Sequence, residues 1–145
     1  MHLKWRSVLA FALMVAGLGW MAERGELFGR TVPARIVQAG AVVLMVAARV
    51  AFGRRSFHAA ADPTAGGLVT SGPYRWMRHP IYAAVLYFAW SAALDHRSAT
   101  ALAAALLVTA GAAIRMYAEE RLLIGRYPEY GAYRARTARV IPFFL

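Results

Sequence analysis

Residues 99–124 read ATALAAALLVTAGAAIRMYAEERLLI, and this stretch decides the fold. It carries no charge from 99 to 114, no Pro, and one glycine, Gly111. Ser98 stands before it as a natural N-cap. A helix over 99–124 would be about 39 Å long at 1.5 Å per residue, longer than the ~30 Å hydrocarbon core of a bilayer. Its last turns, with Arg115, Glu119 and Glu120, should therefore project past the membrane surface. The small residues Ala103, Ala104, Ala105 and Gly111 would let neighbouring helix backbones approach closely.

Working outward, residues 8–22, 36–52 and 81–94 are also apolar stretches. Each is near or below the ~17–25 residues that span a bilayer, so flanking residues or local thinning must supply the rest. The first stretch has the basic start and apolar middle of a signal peptide. No clear small-x-small site follows it and three more apolar stretches do, so it reads as a span. The 145-residue chain is 60% apolar, against about 45–50% in an average globular domain. These features predict a single domain over 1–145: an all-α integral membrane protein of about four transmembrane helices, the fourth extended.

The net charge of +10 invites a nucleic-acid reading, but such proteins carry their basic residues on a polar surface. Here the charges fall mainly between apolar stretches, so no nucleic-acid partner is expected. The absence of Cys excludes disulfides, thiolate metal sites and a cysteine nucleophile. His2, His58, His79 and His96 lack metal-ligand spacing, so no metal site is expected. No P-loop or Gly-rich dinucleotide motif occurs.

Twelve Lys and Arg residues lie in the N-terminus, the 53–80 loop and the tail after Ile114, and four in the 23–35 and 95–98 loops. The remaining one, Arg49, sits near the inner end of the second stretch, where it can snorkel to the interface. Basic loops are retained in the cytoplasm, which puts both termini and the 53–80 loop inside an inner or plasma membrane. Asp62-Pro63, Gly66-Gly67 and Gly72-Pro73 make 53–80 a structured loop rather than a helix.

The densest constellation is GPYRWMRHPIY, residues 72–82. Pro80 suits the first turn of the third helix, and a helix N-terminus behind Arg75, Arg78 and His79 suits an anion. The same residues also read as positive-inside anchors, with Tyr74 and Trp76 in the interfacial aromatic belt. A second constellation is RMYAEERLL, residues 115–123. Arg115 and Glu119 share a helix face, with Glu120 beside them. They form either a solvated surface pair or a charged site facing the bundle interior. From Tyr127 to Leu145, Tyr127, Tyr130 and Tyr133 interleave with Arg134, Arg136 and Arg139. That tail reads as a segment lying on an anionic membrane surface.

Together, GLVTSGPYRWMRHPIY (67–82), an apolar hairpin, RMYAEERLL (115–123) and YPEYGAYRARTARVIP (127–142) resemble the isoprenylcysteine carboxyl methyltransferases and the related phospholipid methyltransferases. The resemblance covers residues 67–142. It implies a membrane enzyme that uses S-adenosylmethionine, bound on the cytoplasmic side by Tyr74, Arg78, His79, Tyr82 and Glu119. Arg115 matches a position that orients the substrate's reacting group. The substrate implied is a lipophilic small molecule or lipid-modified carboxylate that arrives sideways from the membrane lipids. The family's RHP-x-Y-x-G run has Ala84 in place of its Gly, and Tyr127-Pro128 shortens the usual tail spacing by about one residue. Alternatives to a carboxylate acceptor are a phospholipid amine or a small hydrophobic thiol or amine, or a non-catalytic subunit retaining the motif.

Methyl transfer from a sulfonium is an in-line displacement that depends mainly on alignment. An anionic acceptor needs no general base. An amine does, and Glu120 or His79 would supply it. The charge asymmetry predicts that reporters fused after Leu145 and within 59–66 both report a cytoplasmic location. A periplasmic or lumenal signal from either fusion would break this orientation.

Overall fold

Backbone polar groups buried in apolar surroundings must be satisfied within their own segment, which favours helices over the four apolar stretches. A computed structural model describes residues 2–53 and 67–144, with side chains from Trp5 onward. The helices are α1 (His2–Glu23), α2 (Val32–Phe52), α3 (Pro80–His96) and α4 (Ala99–Arg126), followed by a short α5 (Tyr130–Arg136). A 3-10 turn at Gly72–Arg75 precedes α3. Residues 54–66, which carry Asp62-Pro63 and the cytoplasmic loop reading, lie outside the described residues.

Helix starts and stops mostly follow local chemistry. Pro80 opens α3, and the Ser98 hydroxyl accepts from the Ala101 N–H at 2.9 Å to cap α4. With 28 residues, α4 is about 42 Å long, slightly longer than the sequence predicts. The start of α2 is less local. It begins at Val32, four residues before the apolar stretch, because Asp95 of α3 accepts from the backbone N–H groups of Arg30 and Thr31 and from the Thr31 hydroxyl. A carboxylate there satisfies free N–H groups and faces the positive end of the helix dipole.

Among the described residues, three segments are long and apolar enough to cross a membrane: Trp5–Glu23, Val32–Phe52 and Ala99–Arg126. At 17 residues, α3 falls at the short limit for a span. The outer faces of α1 and α2 expose Trp5, Leu9, Val15, Ile36, Val43 and Val50. Apolar exposure on this scale suits lipid rather than water.

In the core, α1 packs on α4, α2 on α3, and α3 on α4. Gly111 and Gly17 make the first of these close: a Cβ at Gly111 would stand 2.5 Å from the Ala10 carbonyl oxygen, and one at Gly17 2.7 Å from Val108 Cγ2. Buried Gln38 crosslinks the other pair. Its amide donates to the carbonyls of Leu27 (2.9 Å) and Phe88 (3.3 Å), while its oxygen accepts from the Gly29 N–H at 2.9 Å. A cavity of about 150 Å³ between α1, α2 and α3 is lined by apolar residues including Leu18, Ala41, Met45, Ala84 and Phe88.

Gly111→Ala should destabilise the α1–α4 contact by about 1–3 kcal/mol, because the obstacle is backbone and cannot rotate away. Gly40→Ala on the open face of α2, where a Cβ meets nothing within 4 Å, should be neutral or stabilising. Denaturation in detergent, followed by circular dichroism, compares the two.

Candidate functional site

The charged residues of α4 follow directly on its apolar run, so they face whatever packs against its last turns. Because α3 starts at Pro80, His79 is its N-cap and Tyr82 lies in its first turn. The chain beyond α5 returns to the same place. The Arg78 N–H donates to the Ala138 carbonyl at 2.8 Å, the His79 N–H to Arg139 at 3.0 Å, and the Ala138 N–H to Trp76 at 3.1 Å. Loop, helix end and tail therefore converge.

Glu120 sits at the centre, 4% exposed. Its Oε1 accepts from Arg78 Nε (3.2 Å) and Arg139 Nε (3.2 Å), with His79 Nε2 at 3.1 Å. Its Oε2 accepts from the other arm of Arg139 at 3.1 Å, and Arg134 Nε stands 4.0 Å away. Arg78 also donates to the carbonyls of Arg134, at 3.0 Å, and Thr137. A buried carboxylate is tolerated when cations and hydrogen bonds surround it in this way.

Glu119 has a different environment. Its Oε1 accepts from the Tyr82 hydroxyl and from Arg115 NH2 at 3.4 Å. Among the described residues, its Oε2 has one polar neighbour, His79 Nδ1 at 3.7 Å. The Glu119 side chain is a quarter exposed, whereas that of Glu120 is 5% exposed.

Arg115 is buried at 4% exposure. Its Nε donates to the Tyr82 hydroxyl at 2.6 Å and its NH1 to the Ser7 carbonyl at 3.3 Å. The guanidinium stands over the rings of Phe11 and Tyr82, 5.3 and 5.8 Å from their centroids. This is the interior arrangement, not the solvated pair that the sequence also allowed.

Tyr74 is buried and lies beside Phe52, its carbonyl accepting from the Tyr133 hydroxyl at 2.7 Å. Burial, and then the charge of Glu119, push the Tyr74 phenol well above its usual range. Burial pushes Tyr133 up to about 12. Both phenols remain protonated donors at neutral pH.

The structure thus brings Arg78, His79, Tyr82, Arg115, Glu119 and Glu120 together, with Tyr74 at the edge, and leaves Arg75 and Trp76 exposed. Sequence reasoning missed Arg139, which grips Glu120, and the buried Tyr130 and Tyr133 of α5. The alternation of Tyr and Arg in the tail was the available signal. Tyr130 is 1% exposed and its hydroxyl lacks a hydrogen-bond partner among the described residues.

Glu120→Ala would leave Arg78, His79 and Arg139 facing one another without their anion. It should cost about 3 kcal/mol of stability, the low end for breaking a buried pair, because Arg139 is half exposed and screened. Thermal denaturation in detergent measures the loss, and Glu120→Gln should recover part of it.

A family profile described as phospholipid methyltransferase matches residues 36–130. No curated protein and no solved structure matches the chain. The matched residues run from α2 through α4 and contain both halves of the cluster, His79 and Tyr82 on one side and Arg115, Glu119 and Glu120 on the other. With its membrane-length helices, the chain belongs to the phospholipid methyltransferase family of membrane methyltransferases.

Proposed function

We propose that this protein transfers a methyl group from S-adenosylmethionine to the carboxylate of a lipophilic acceptor, as in isoprenylcysteine carboxyl O-methylation. We further propose that residues 1–145 act as one domain with four spans, α3 being the fourth. Both termini would face the cytoplasm, in an inner or plasma membrane, as the basic asymmetry favours. The 17 residues of α3 rise about 26 Å, which modest bilayer thinning accommodates.

The partly exposed carboxylate of Glu119, beside buried His79, Tyr82 and Arg115, carries this reading. S-adenosylmethionine needs acceptors for its ammonium and ribose hydroxyls, and cationic or N–H donors for its carboxylate. The residues present fit those needs. Glu119 and His79 would receive the ammonium and ribose, the Tyr74 phenol would add a donor, and Tyr82, whose proton goes to Glu119, would line the pocket and hold that carboxylate in place. Arg78 adds positive charge and holds the loop that carries His79. When bound, S-adenosylmethionine supplies an activated methyl group on a sulfonium centre.

The chain's own residues do the rest. Arg115 orients the acceptor carboxylate and, through Tyr82 and Glu119, links acceptor and cofactor positions. Apolar walls exclude water, which favours a reaction that neutralises opposite charges. The apolar cavity beside Ala84 and Phe88 lies on α3 within two turns beyond Tyr82, suited to the acceptor's hydrocarbon part.

The family description favours a second reading, a phospholipid amine as acceptor. That reaction needs proton removal. His79 Nδ1, 3.7 Å from Glu119 Oε2, suits this role better than Glu120, whose oxygens are already engaged by three side chains.

Labelled-methyl transfer to native membrane lipids, with product identification, tests both readings. A carboxyl ester gives up methanol in base and an N-methyl product does not. Glu119→Ala should weaken cofactor binding by about 1–3 kcal/mol, the cost of an unpaired buried partner. Arg115→Lys keeps a cation near Glu119 but loses the guanidinium fork. It should lower turnover at least ~10-fold, or about 1.4 kcal/mol. Equal turnover in Arg115→Lys, Arg115→Ala and the parent protein ends the role assigned to Arg115.

A further inference from the structure

The last described residues form a turn with its aromatic side chains outward. The Phe144 N–H donates to the Ile141 carbonyl at 3.1 Å, with Pro142 and Phe143 at the corner. Phe143 has a φ of 69°, a left-handed conformation that turns normally assign to Gly or Asn. Phe143 is 92% and Phe144 87% exposed. Two adjacent exposed Phe rings on a strained corner are poorly explained by packing within the chain.

The position of this turn is constrained. Residues 138–139 are tied to the loop at 76–79, Val140 packs against the core, and the Tyr87 hydroxyl donates to the Val140 carbonyl. Tyr87 lies seven residues into α3, about 10 Å of helix rise beyond Pro80, though a helical side chain leans back towards the N-terminus. The tail therefore runs beside the first turns of an apolar helix before it reaches Ile141. Just before this turn in the chain, the Arg134 and Arg139 side chains are 48% and 45% exposed and Arg136 is exposed, as is Arg75 in the loop that pairs with residues 138–139. Among the described residues, the acidic charge at this end of the bundle is buried Glu120, partly buried Glu119 and exposed Glu129.

We propose that residues 141–144 are an interfacial anchor: Phe143 and Phe144 insert at the headgroup–acyl boundary while the surrounding arginines recognise an anionic lipid surface. Aromatic insertion and basic attraction are each weak alone, and reversible anchoring uses two such signals together. The anchor is independent of which acceptor is methylated.

The chain has no Cys, so Phe144→Cys carries a single environment-sensitive fluorophore at an exposed site. The 145-residue chain is placed in nanodiscs of phosphatidylcholine, alone or mixed with phosphatidylglycerol. In the mixed discs we expect blue-shifted emission that is quenched by lipids brominated near the headgroup end of the acyl chain. Adding Arg136→Gln should lower the ratio of buried to exposed label about fivefold, the effect of about 1 kcal/mol per basic residue at an anionic surface. Water-like emission in both disc types overturns the proposal, as does equal burial in both. A shift that grows with the number of copies per disc would assign the turn to a second copy of the chain, and overturns it too.

Discussion

The hydrogen-bonded ion cluster on Glu120 is the constraint that organises the end of the molecule where α3 begins and α4 ends. One carboxylate brings together Arg78 and His79 from the loop before α3, and Arg139 from the chain after α5. Charged groups are costly to desolvate, and only a geometry that nearly fills the acceptor positions offsets that cost. Arg139 reaches both carboxylate oxygens, the fork geometry that makes such pairs strong. Because backbone hydrogen bonds between 76–79 and 138–139 run alongside, the tail is fastened twice and the end of α4 cannot move independently of α3.

This arrangement separates two neighbouring acids. Glu120 is surrounded by cations and buried, while Glu119, one residue earlier and turned about 100° round the helix, shares Tyr82 with Arg115 and stays a quarter exposed. Arg115 in turn reaches the Ser7 carbonyl on α1. The cluster therefore touches α1, α3, α4 and the tail, and the close α1–α4 approach at Gly111 and Gly17 sets how Arg115 meets Ser7. Partners supplied from several segments let this charged cluster sit at the end of membrane-length helices. The far end of the bundle is held by different means: Asp95 on the start of α2 and Gln38 between loop and helix.

Much of this was legible in the chain itself. Apolar runs, Ser98 and Pro80 located the helices because span length, caps and the missing Pro N–H act within a few residues. The motif residues Tyr74, Arg78, His79, Tyr82, Arg115, Glu119 and Glu120 could be named in advance, as could the i,i+4 relation of Arg115 and Glu119. Whether that pair was a solvated helix end or an interior site was not legible. Burial depends on what packs over the helix, which no local spacing encodes.

By itself, then, the sequence determined an all-helical membrane chain of this family, its extended last long helix and the identity of its charged motif residues. Tertiary structure alone decided that Arg139, read as a surface charge, would become a partner of Glu120 across 19 residues. It also decided that Asp95 would start α2 from a distance of 64 residues, and that two adjacent glutamates would have unequal surroundings. The physical reason is the same in each case. Hydrophobic period and capping are local, but satisfying a buried charge depends on which distant segments the packed helices bring within about 3 Å of it.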